Sequence, residues 1–365
     1  MKKIAILTFQ NANNYGALLQ CYALHKALIS IGIKNDVLNY KSTYMSSPYG
    51  IAALKRKGLI RFFLGIAYSI VRMPRKRKFN ELRTHIRMTP KLNAKDLISI
   101  EEKYDGFIVG SDQVWNDYIT NVDPSYFLNF VKSQEKKLSY AASFGFESIP
   151  KNLEMKYKDL LSDFSTYNMR EASGAKIIEA LLNKPANTVL DPTMLLTREK
   201  WDTIAYAPIQ KKRYILVYQV TLSSFVLNTV KKIAKQTGYE VVAIPFPLGG
   251  FLKAISKLYA GPREWIGLIR DAEIVVTDSF HGSIFSILFN KKFFVCITDA
   301  GDRIINLLNT FELSERLYKP CLQLELCKEI EWVNVNCILK KERIKCLKAL
   351  SKMVNGKKNV FYDSK

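Results

Sequence analysis

Acidic side chains are scarce: 33 Asp and Glu stand against 55 Lys and Arg in 365 residues, a formal net charge of +22. A chain this basic is expected to meet an anionic partner or surface. The shortage is also local. No acidic residue occurs between Asp36 and Glu81, a stretch of 44 residues holding ten Lys and Arg. Long apolar runs are missing as well. The main apolar run in the basic stretch, residues 62–71, has ten residues, well short of the roughly 20 that a spanning helix needs, so no transmembrane segment is expected. After Met1-Lys2-Lys3 only residues 4–9 lean apolar, too few for the core of a signal peptide, and they read as a buried strand. The six cysteines (Cys21, Cys296, Cys321, Cys327, Cys337, Cys346) include no CxxC pair, and the last four are separated by five, nine and eight residues with no histidine nearby. That spacing fits no common zinc knuckle. Reduced thiols in a cytoplasmic protein are expected, with no metal. Hydrophobic residues at 48% and charged ones at 24% exclude a disordered or fibrous chain. The length suits two domains of about 100 to 200 residues each.

The basic stretch has an internal order. Lys55-Arg56-Lys57 on one side, and Arg72 with Arg75-Lys76-Arg77-Lys78 on the other, bracket the apolar residues 59–60 and 62–71. An apolar centre with basic flanks is how an interfacial helix lying on an anionic membrane reads; a core helix with solvated ends reads equally well. Nucleic acid is not expected, because the chain shows no zinc finger, ribonucleoprotein motif or heptad basic region.

Periodicity predicts strands alternating with helices. A strand over 3–9 is followed by a helix over 17–31 that ends at Gly32, then strands over 33–40, 104–109 and 137–143 and helices over 152–161 and 172–182. A second series starts with a strand over 214–218, a helix over 222–237 and a strand over 240–244. It continues with a helix over 262–270, a strand over 273–277 and a helix over 282–289. Two such series predict an α/β protein of two Rossmann-like domains facing a central cleft, over residues 1–195 and 196–320, with a helical extension over 321–365. Ligands of such sheets bind at the carboxyl ends of strands, which directs attention to the loops that follow them.

Four of these loops carry candidate chemistry. In the first, Asn14-Tyr15-Gly16 opens a helix, whose free N–H groups and dipole favour an anion or a polar sugar edge; by itself it is equally a tight turn. The second holds Ser111, Asp112 and Trp115. A carboxylate beside an aromatic plate suits a sugar ring, while a capping Asp112 and a core Trp115 are the structural alternative. In the third, Arg170 precedes a helix at its positive end and needs an anion. Guanidinium geometry takes a carboxylate or a phosphate, and a plain salt bridge to Asp191 meets the same need. The fourth is the sharpest: a buried strand runs into Thr277-Asp278-Ser279-Phe280-His281-Gly282, where Asp278-Ser279 can cap the next helix. His281 can carry a proton in its first turn, and Gly282 admits a ligand to the backbone.

Taken in order, Asn14-Tyr15-Gly16-Ala17 with Leu19-Gln20 and Ala23-Leu24, Asp105-Gly106 to Trp115, Arg170-Glu171 with Ser173, Asp191-Pro192, and Thr277 to Gly282 resemble the polysaccharide pyruvyl transferase family along roughly residues 3 to 310. The resemblance implies a GT-B-like glycosyltransferase architecture. It also implies transfer of pyruvate from phosphoenolpyruvate onto two hydroxyls of a sugar as a cyclic ketal, in cell-surface polysaccharide (exopolysaccharide) biosynthesis, with no metal or organic cofactor. The N-terminal domain is then the acceptor side, with residues 51–80 facing a membrane, and the C-terminal domain is the donor side. His281 is the expected acid and Asp112 the expected base. Substrate binding falls to Arg170, Asn14, Tyr15, Gly16, Ser111, Trp115, Asp278, Ser279, Gly282 and Arg303. Many relatives carry an arginine two residues before the histidine where this chain has Ser279, so the phosphate charge must be met elsewhere, by Arg170, Arg303 or another basic side chain. Phosphoenolpyruvate, a sugar acceptor that a lipid can carry, and the inner membrane face are the expected partners of a cytoplasmic, peripheral protein. The alternatives are a nucleotide-sugar-dependent glycosyltransferase with residues 247–250 as its diphosphate loop, and a non-catalytic scaffold of a glycan assembly complex.

Overall fold

Ile4-Ala5-Ile6-Leu7 is apolar at every position, and such a strand is stable only in a sheet covered on both faces. In the computed structural model it forms β1 (Lys3–Leu7), the centre of a five-stranded sheet. The residues described by the structure are 2–42, 44, 73–206, 212–220, 223–244, 254–257, 259–296, 301–318 and 329–356. The chain divides into two compact units. The first comprises Met1–Val71, Arg83–Leu195 and Glu342–Lys365; the second comprises Arg72–Leu82 and Leu196–Lys341.

In the first unit, β1 is followed by α1 (Tyr15–Ser30) and β2 (Lys34–Tyr40). After α2 (Met73–Arg83), which up to Leu82 is counted in the second unit, come β3 (Met88–Leu92), β4 (Gly106–Val109) and β5 (Lys137–Ser139). The sheet order is β3-β2-β1-β4-β5 and every pair is parallel. Leu18, Leu19, Leu24 and Leu28 of α1 are fully buried along with Cys21 and Ala23, and the helix reaches solvent only towards its end, at Lys26, Ile29 and Ser30. Phe107, Val109, Trp115, Phe127, Phe144 and Tyr157 centre one core of this unit, which α3 (Glu154–Leu161) helps to cover. A two-stranded parallel pair, β6 (Asn168–Met169) and β7 (Asn187–Thr188), flanks α4 (Ala172–Leu182).

The second unit repeats the plan with β8 (Tyr214–Tyr218), α5 (Ser224–Thr237), β9 (Glu240–Ile244), β10 (Ala254–Ser256), α6 (Pro262–Asp271), β11 (Ile274–Thr277), α7 (Phe280–Leu288) and β12 (Lys292–Val295). Its sheet order is β10-β9-β8-β11-β12, again parallel throughout. Further on comes α8 (Asp302–Thr310), and then α9 (Trp332–Asn355), which counts in this unit up to Lys341 and in the first from Glu342. In α9, Val335, Leu339, Cys346, Leu350 and Val354 are buried at helical spacing, so Cys346 belongs to a core stripe. In both sheets the order reverses beside the first strand, between β1 and β4 and between β8 and β11, and that is where ligands of such sheets bind.

The fold is α/β with two parallel sheets, as the alternation predicts. Several details differ from the sequence reading. Ladder pairing ends at Ser139 rather than Ser143, because Ala141 has φ of 53° and the chain continues only through single bridges. The helix expected at 282 begins at Phe280. Strand β3 escapes a periodicity search because Met88-Thr89-Pro90-Lys91-Leu92 is half polar, and Pro90 is tolerated because β3 is an edge strand. Residues 45–72 and 245–253, which include most of the basic segment and the Gly-rich 247–250, lie outside the described residues. So do Cys321 and Cys327. No helix among the described residues is long and apolar enough to cross a membrane.

Candidate active site

The candidate residues of the first unit meet at the carboxyl ends of β1, β4 and β6. Thr8, just past β1, donates through Oγ1 to the Ser111 carbonyl at 2.7 Å and accepts from Gln20 Nε2 at 2.9 Å. This ties the start of α1 to the loop after β4. Ser111, fully buried, donates through Oγ to Asp191 Oδ2 at 2.8 Å. Asp191 also accepts from Thr193 N at 3.0 Å and Thr193 Oγ1 at 2.7 Å. Asp112 follows with φ of 85°, a left-handed conformation that costs a non-glycine residue roughly 1–3 kcal/mol. Its Oδ1 accepts from Gln113 N at 2.9 Å, and its side chain keeps 18% exposure. It is the solvent-facing acid of this group.

Arg170 is placed by the end of β6, where its N–H donates to the Ala142 carbonyl at 3.1 Å. Its side chain is 0% exposed and lies 3.5 Å from Asp191 Oδ2, 3.8 Å from Asp112 Oδ1 and 3.8 Å from Glu171 Oε2. Three carboxylates already surround this guanidinium. The salt bridge to Asp191 that the sequence offers as the alternative to an anion clamp is present, and these contacts make Arg170 a holder of Asp112 and Asp191. Glu171, buried beside it, accepts from Phe144 N at 3.2 Å. A partner at Asp191 was legible from the sequence; Glu171 was not, because a helix-opening glutamate reads as an ordinary exposed residue.

The reading of Trp115 is corrected. It is fully buried, packs on Phe127, Phe144 and Phe164, and donates Nε1–H to the Tyr126 carbonyl at 3.0 Å. It is core and offers no face to a sugar. Of the first loop, Tyr15 and Gly16 are buried in α1, whereas exposed Asn14 caps the helix by accepting from Ala17 N at 3.2 Å. A residue the sequence reading missed holds this loop. Arg83, the last residue of α2, donates from Nε to the Gln10 carbonyl at 2.9 Å, and from one terminal nitrogen to the Ala12 carbonyl at 2.8 Å and Asn13 Oδ1 at 2.9 Å. The signal available was its spacing: Phe79 and Leu82 are buried, and position 83 shares their helix face.

In the second unit the candidates gather where β11 turns into α7. Thr277 Oγ1 donates to the Tyr218 carbonyl at 2.7 Å and accepts from Ser279 N at 3.0 Å. Asp278 Oδ1 accepts from Val220 N at 2.6 Å, fixing the loop after β8. Ser279 caps α7 by accepting from Gly282 N at 3.3 Å. A side chain at Gly282 would run into Thr277 Oγ1 and crowd Tyr218, so glycine is what lets the helix start so close to the sheet. His281 lies in the first helical turn, 9% exposed, its ring edge-to-face with Phe280 at 5.3 Å. Arg303, in the first turn of α8, holds its guanidinium 5.9 Å from the Phe280 ring centroid. The structure thus brings an arginine to the residue beside His281.

No group of three or more His, Cys, Asp or Glu suited to a metal occurs among the described residues. Burial pushes the Cys21 and Cys296 thiols up to about 12, which keeps both protonated and unreactive near neutral pH.

Comparison with known proteins places this geometry. No curated protein matches the chain. Among solved structures it is similar to a glycosyltransferase from Rickettsia africae, with TM-score 0.53 and 10% identity over 98% of this chain and 99% of that one. It is also similar to the UDP-GlcNAc 2-epimerase of Neisseria meningitidis, with TM-score 0.50 and 12% identity over 97% and 94%. For the UDP-GlcNAc 2-epimerase of Methanocaldococcus jannaschii the values are 0.50 and 14% over 98% and 94%. Likeness at this identity shows the fold alone, which is of the GT-B glycosyltransferase and epimerase type. A family model for polysaccharide pyruvyl transferase matches residues 14–299, a span that contains Asn14, the Asp112 and Arg170 cluster and the turn at His281. With most of its length matched, the chain belongs to the polysaccharide pyruvyl transferase family.

Proposed function

We propose that this transferase moves pyruvate from phosphoenolpyruvate onto two hydroxyls of a sugar, forming a cyclic ketal during cell-surface polysaccharide biosynthesis. The observation that carries the reading is the turn after β11, where Ser279 caps α7 and sets His281 in the first turn at the point of strand-order reversal. An imidazole there stands among backbone N–H groups that favour an anion.

The chemistry asks for an acid and a base. His281 protonates the methylene carbon of phosphoenolpyruvate, which makes C2 electrophilic. A sugar hydroxyl adds to C2 and its proton passes to Asp112, the one carboxylate of its cluster with exposed side-chain surface, held by Arg170. The C2–O bond to phosphate then breaks, the second hydroxyl closes the ring on C2, and its proton leaves with inorganic phosphate. Diol and phosphoenolpyruvate give ketal and phosphate, with no change of oxidation state. Arg303 and the N-terminus of α7 are the anion-binding groups in this scheme, since the charge of Arg170 is already met.

The sugar acceptor is proposed to be carried by a lipid at the inner membrane face, with the basic segment adsorbing to anionic headgroups. What supports this is the charge of residues 55–78 and the exposure of Lys76 and Arg77 on α2. On the same helix, Lys78 is paired with Glu264 and Arg75 lies over Phe79. Thermal melting of the purified chain with phosphoenolpyruvate or with UDP tests the donor, because a ligand present at about 100 times its Kd stabilises by about 2.7 kcal/mol. Stabilisation by phosphoenolpyruvate is expected; stabilisation by UDP alone would favour a nucleotide-sugar glycosyltransferase.

A further inference from the structure

Strand β8 is the middle of the second sheet, and its last residue, Tyr218, pairs with Thr277 of β11 on one side and Ile244 of β9 on the other. The next residue is Gln219. Its N–H donates to the Ile244 carbonyl at 3.4 Å, and the N–H of Val220 donates to Asp278. Gln219 therefore sits at the carboxyl end of the central strand, beside the residues that lead into the His281 turn. The helices leaving β8 and β11 cover opposite faces of the sheet: Val217 packs with Val226 and Val230 of α5, whereas Tyr218 packs on Trp265 of α6 and against Gly282 of α7. Two strands whose following helices diverge in this way leave a crevice between their ends.

A glutamine carboxamide has two N–H donors and two acceptor lone pairs. That of Gln219 is 2% exposed, and neither Nε2 nor Oε1 has a hydrogen-bond partner among the described residues. A buried amide in this condition costs free energy, and folded chains almost always satisfy such groups. An orphan amide at the end of a central strand, at the crevice and next to a capped helix N-terminus, calls for a partner from outside the chain. We infer that Gln219 contacts the donor substrate, its Nε2–H groups donating to an oxyanion of phosphoenolpyruvate. The assignment rests on the proposed function for the identity of that donor. It gives the protein a neutral contact that adds to Arg303 and to the backbone N–H groups of α7.

Calorimetric titration of the full chain with phosphoenolpyruvate, inorganic phosphate, pyruvate and UDP, repeated on Gln219→Leu and Gln219→Glu, tests this. Gln219→Leu is expected to weaken phosphoenolpyruvate binding about 10-fold or more, while the empty variant melts no lower than the native chain because the orphan amide is gone. Gln219→Glu keeps the shape, guards against a Leu variant that does not fold, and should bind still more weakly by charge repulsion. Loss of phosphate binding assigns the contact to the phosphate, and loss of pyruvate binding assigns it to the carboxylate. Either outcome upholds the inference. Unchanged phosphoenolpyruvate affinity in both variants overturns it and leaves the amide to an ordered water. If the native chain binds UDP in place of phosphoenolpyruvate, the donor reading fails. Gln219 then stays in the site only if Gln219→Leu weakens UDP by the same factor, and a native chain that binds none of the four ligands overturns both.

Discussion

His281 and Arg170 differ in how their surroundings hold them, and that difference decides what each substitution does. His281 sits in the first turn of α7 with its backbone carried by the Ser279 cap. His281→Ala should therefore leave the melting midpoint close to native while pyruvate transfer falls on the order of 10²-fold or more, the loss expected for a general acid. Steady-state rates on the variant check this, and native turnover would remove His281 from the chemistry. Arg170 is the opposite case. Its guanidinium is fully buried among Asp112, Glu171 and Asp191, and removing one partner of a buried ion pair costs about 3–5 kcal/mol because the other charges are left uncompensated. Arg170→Ala is expected to lower the denaturant midpoint accordingly, with Arg170→Lys between it and the native chain. Phosphoenolpyruvate affinity should be unaltered in any folded Arg170 variant. Weakened donor binding in a stable Arg170→Lys would return Arg170 to the role of anion clamp.

Among elements, the loop between β1 and α1 depends most on a single distant side chain. Arg83 donates to Gln10, Ala12 and Asn13, and Gln10 Nε2 donates in turn to the Tyr40 carbonyl at 2.8 Å. Arg83→Gln removes the fork that gathers these acceptors, and amide hydrogen exchange over residues 10–16 is expected to quicken by an order of magnitude, the scale of about 1.4 kcal/mol, while peptides from β8 and α5 keep their native rates. Exchange rising evenly through both units would mean a general loss of stability instead. These elements also show what a sequence makes legible. Strands such as Tyr214-Ile215-Leu216-Val217-Tyr218 declare themselves because burial on both faces requires an unbroken apolar run, and the turn at His281 is readable because cap, histidine and glycine are adjacent. Arg83 is separated from its acceptors by 70 residues or more, a partnership that no local sequence pattern marks. Trp115 misleads for a related reason: an aromatic beside an acid suits a sugar site as well as a core, and only tertiary packing on Phe127, Phe144 and Phe164 distinguishes them. Gln219 carries no local mark at all, since what singles it out is the absence of a partner.

At the scale of the whole molecule, two parallel sheets with the same strand order each place their candidate groups at the point where that order reverses. Net charge bears on association rather than on the fold, and the proposed adsorption to anionic headgroups has a direct test. Exposed charges act through the surrounding ions and are screened by salt, so co-sedimentation with anionic vesicles should be strong at low salt and lost at high salt. Changing Lys76 and Arg77 to Gln should weaken it more than changing Arg75 and Lys78, which have partners within the chain; equal pelleting of all forms would assign the segment a purely structural role. The central claim is chemical and is tested most directly on the carbon that moves. The chain is incubated with phosphoenolpyruvate labelled with ¹³C at C2 and a panel of surface-polysaccharide oligosaccharides, without nucleotide, and C2 is followed by NMR as phosphate is assayed. The account predicts conversion of the enol carbon to a quaternary ketal carbon on the sugar, one phosphate released per ketal, and loss of both signals in His281→Ala. An unaltered enol signal, alongside consumption of a UDP-sugar when one is supplied, would contradict it.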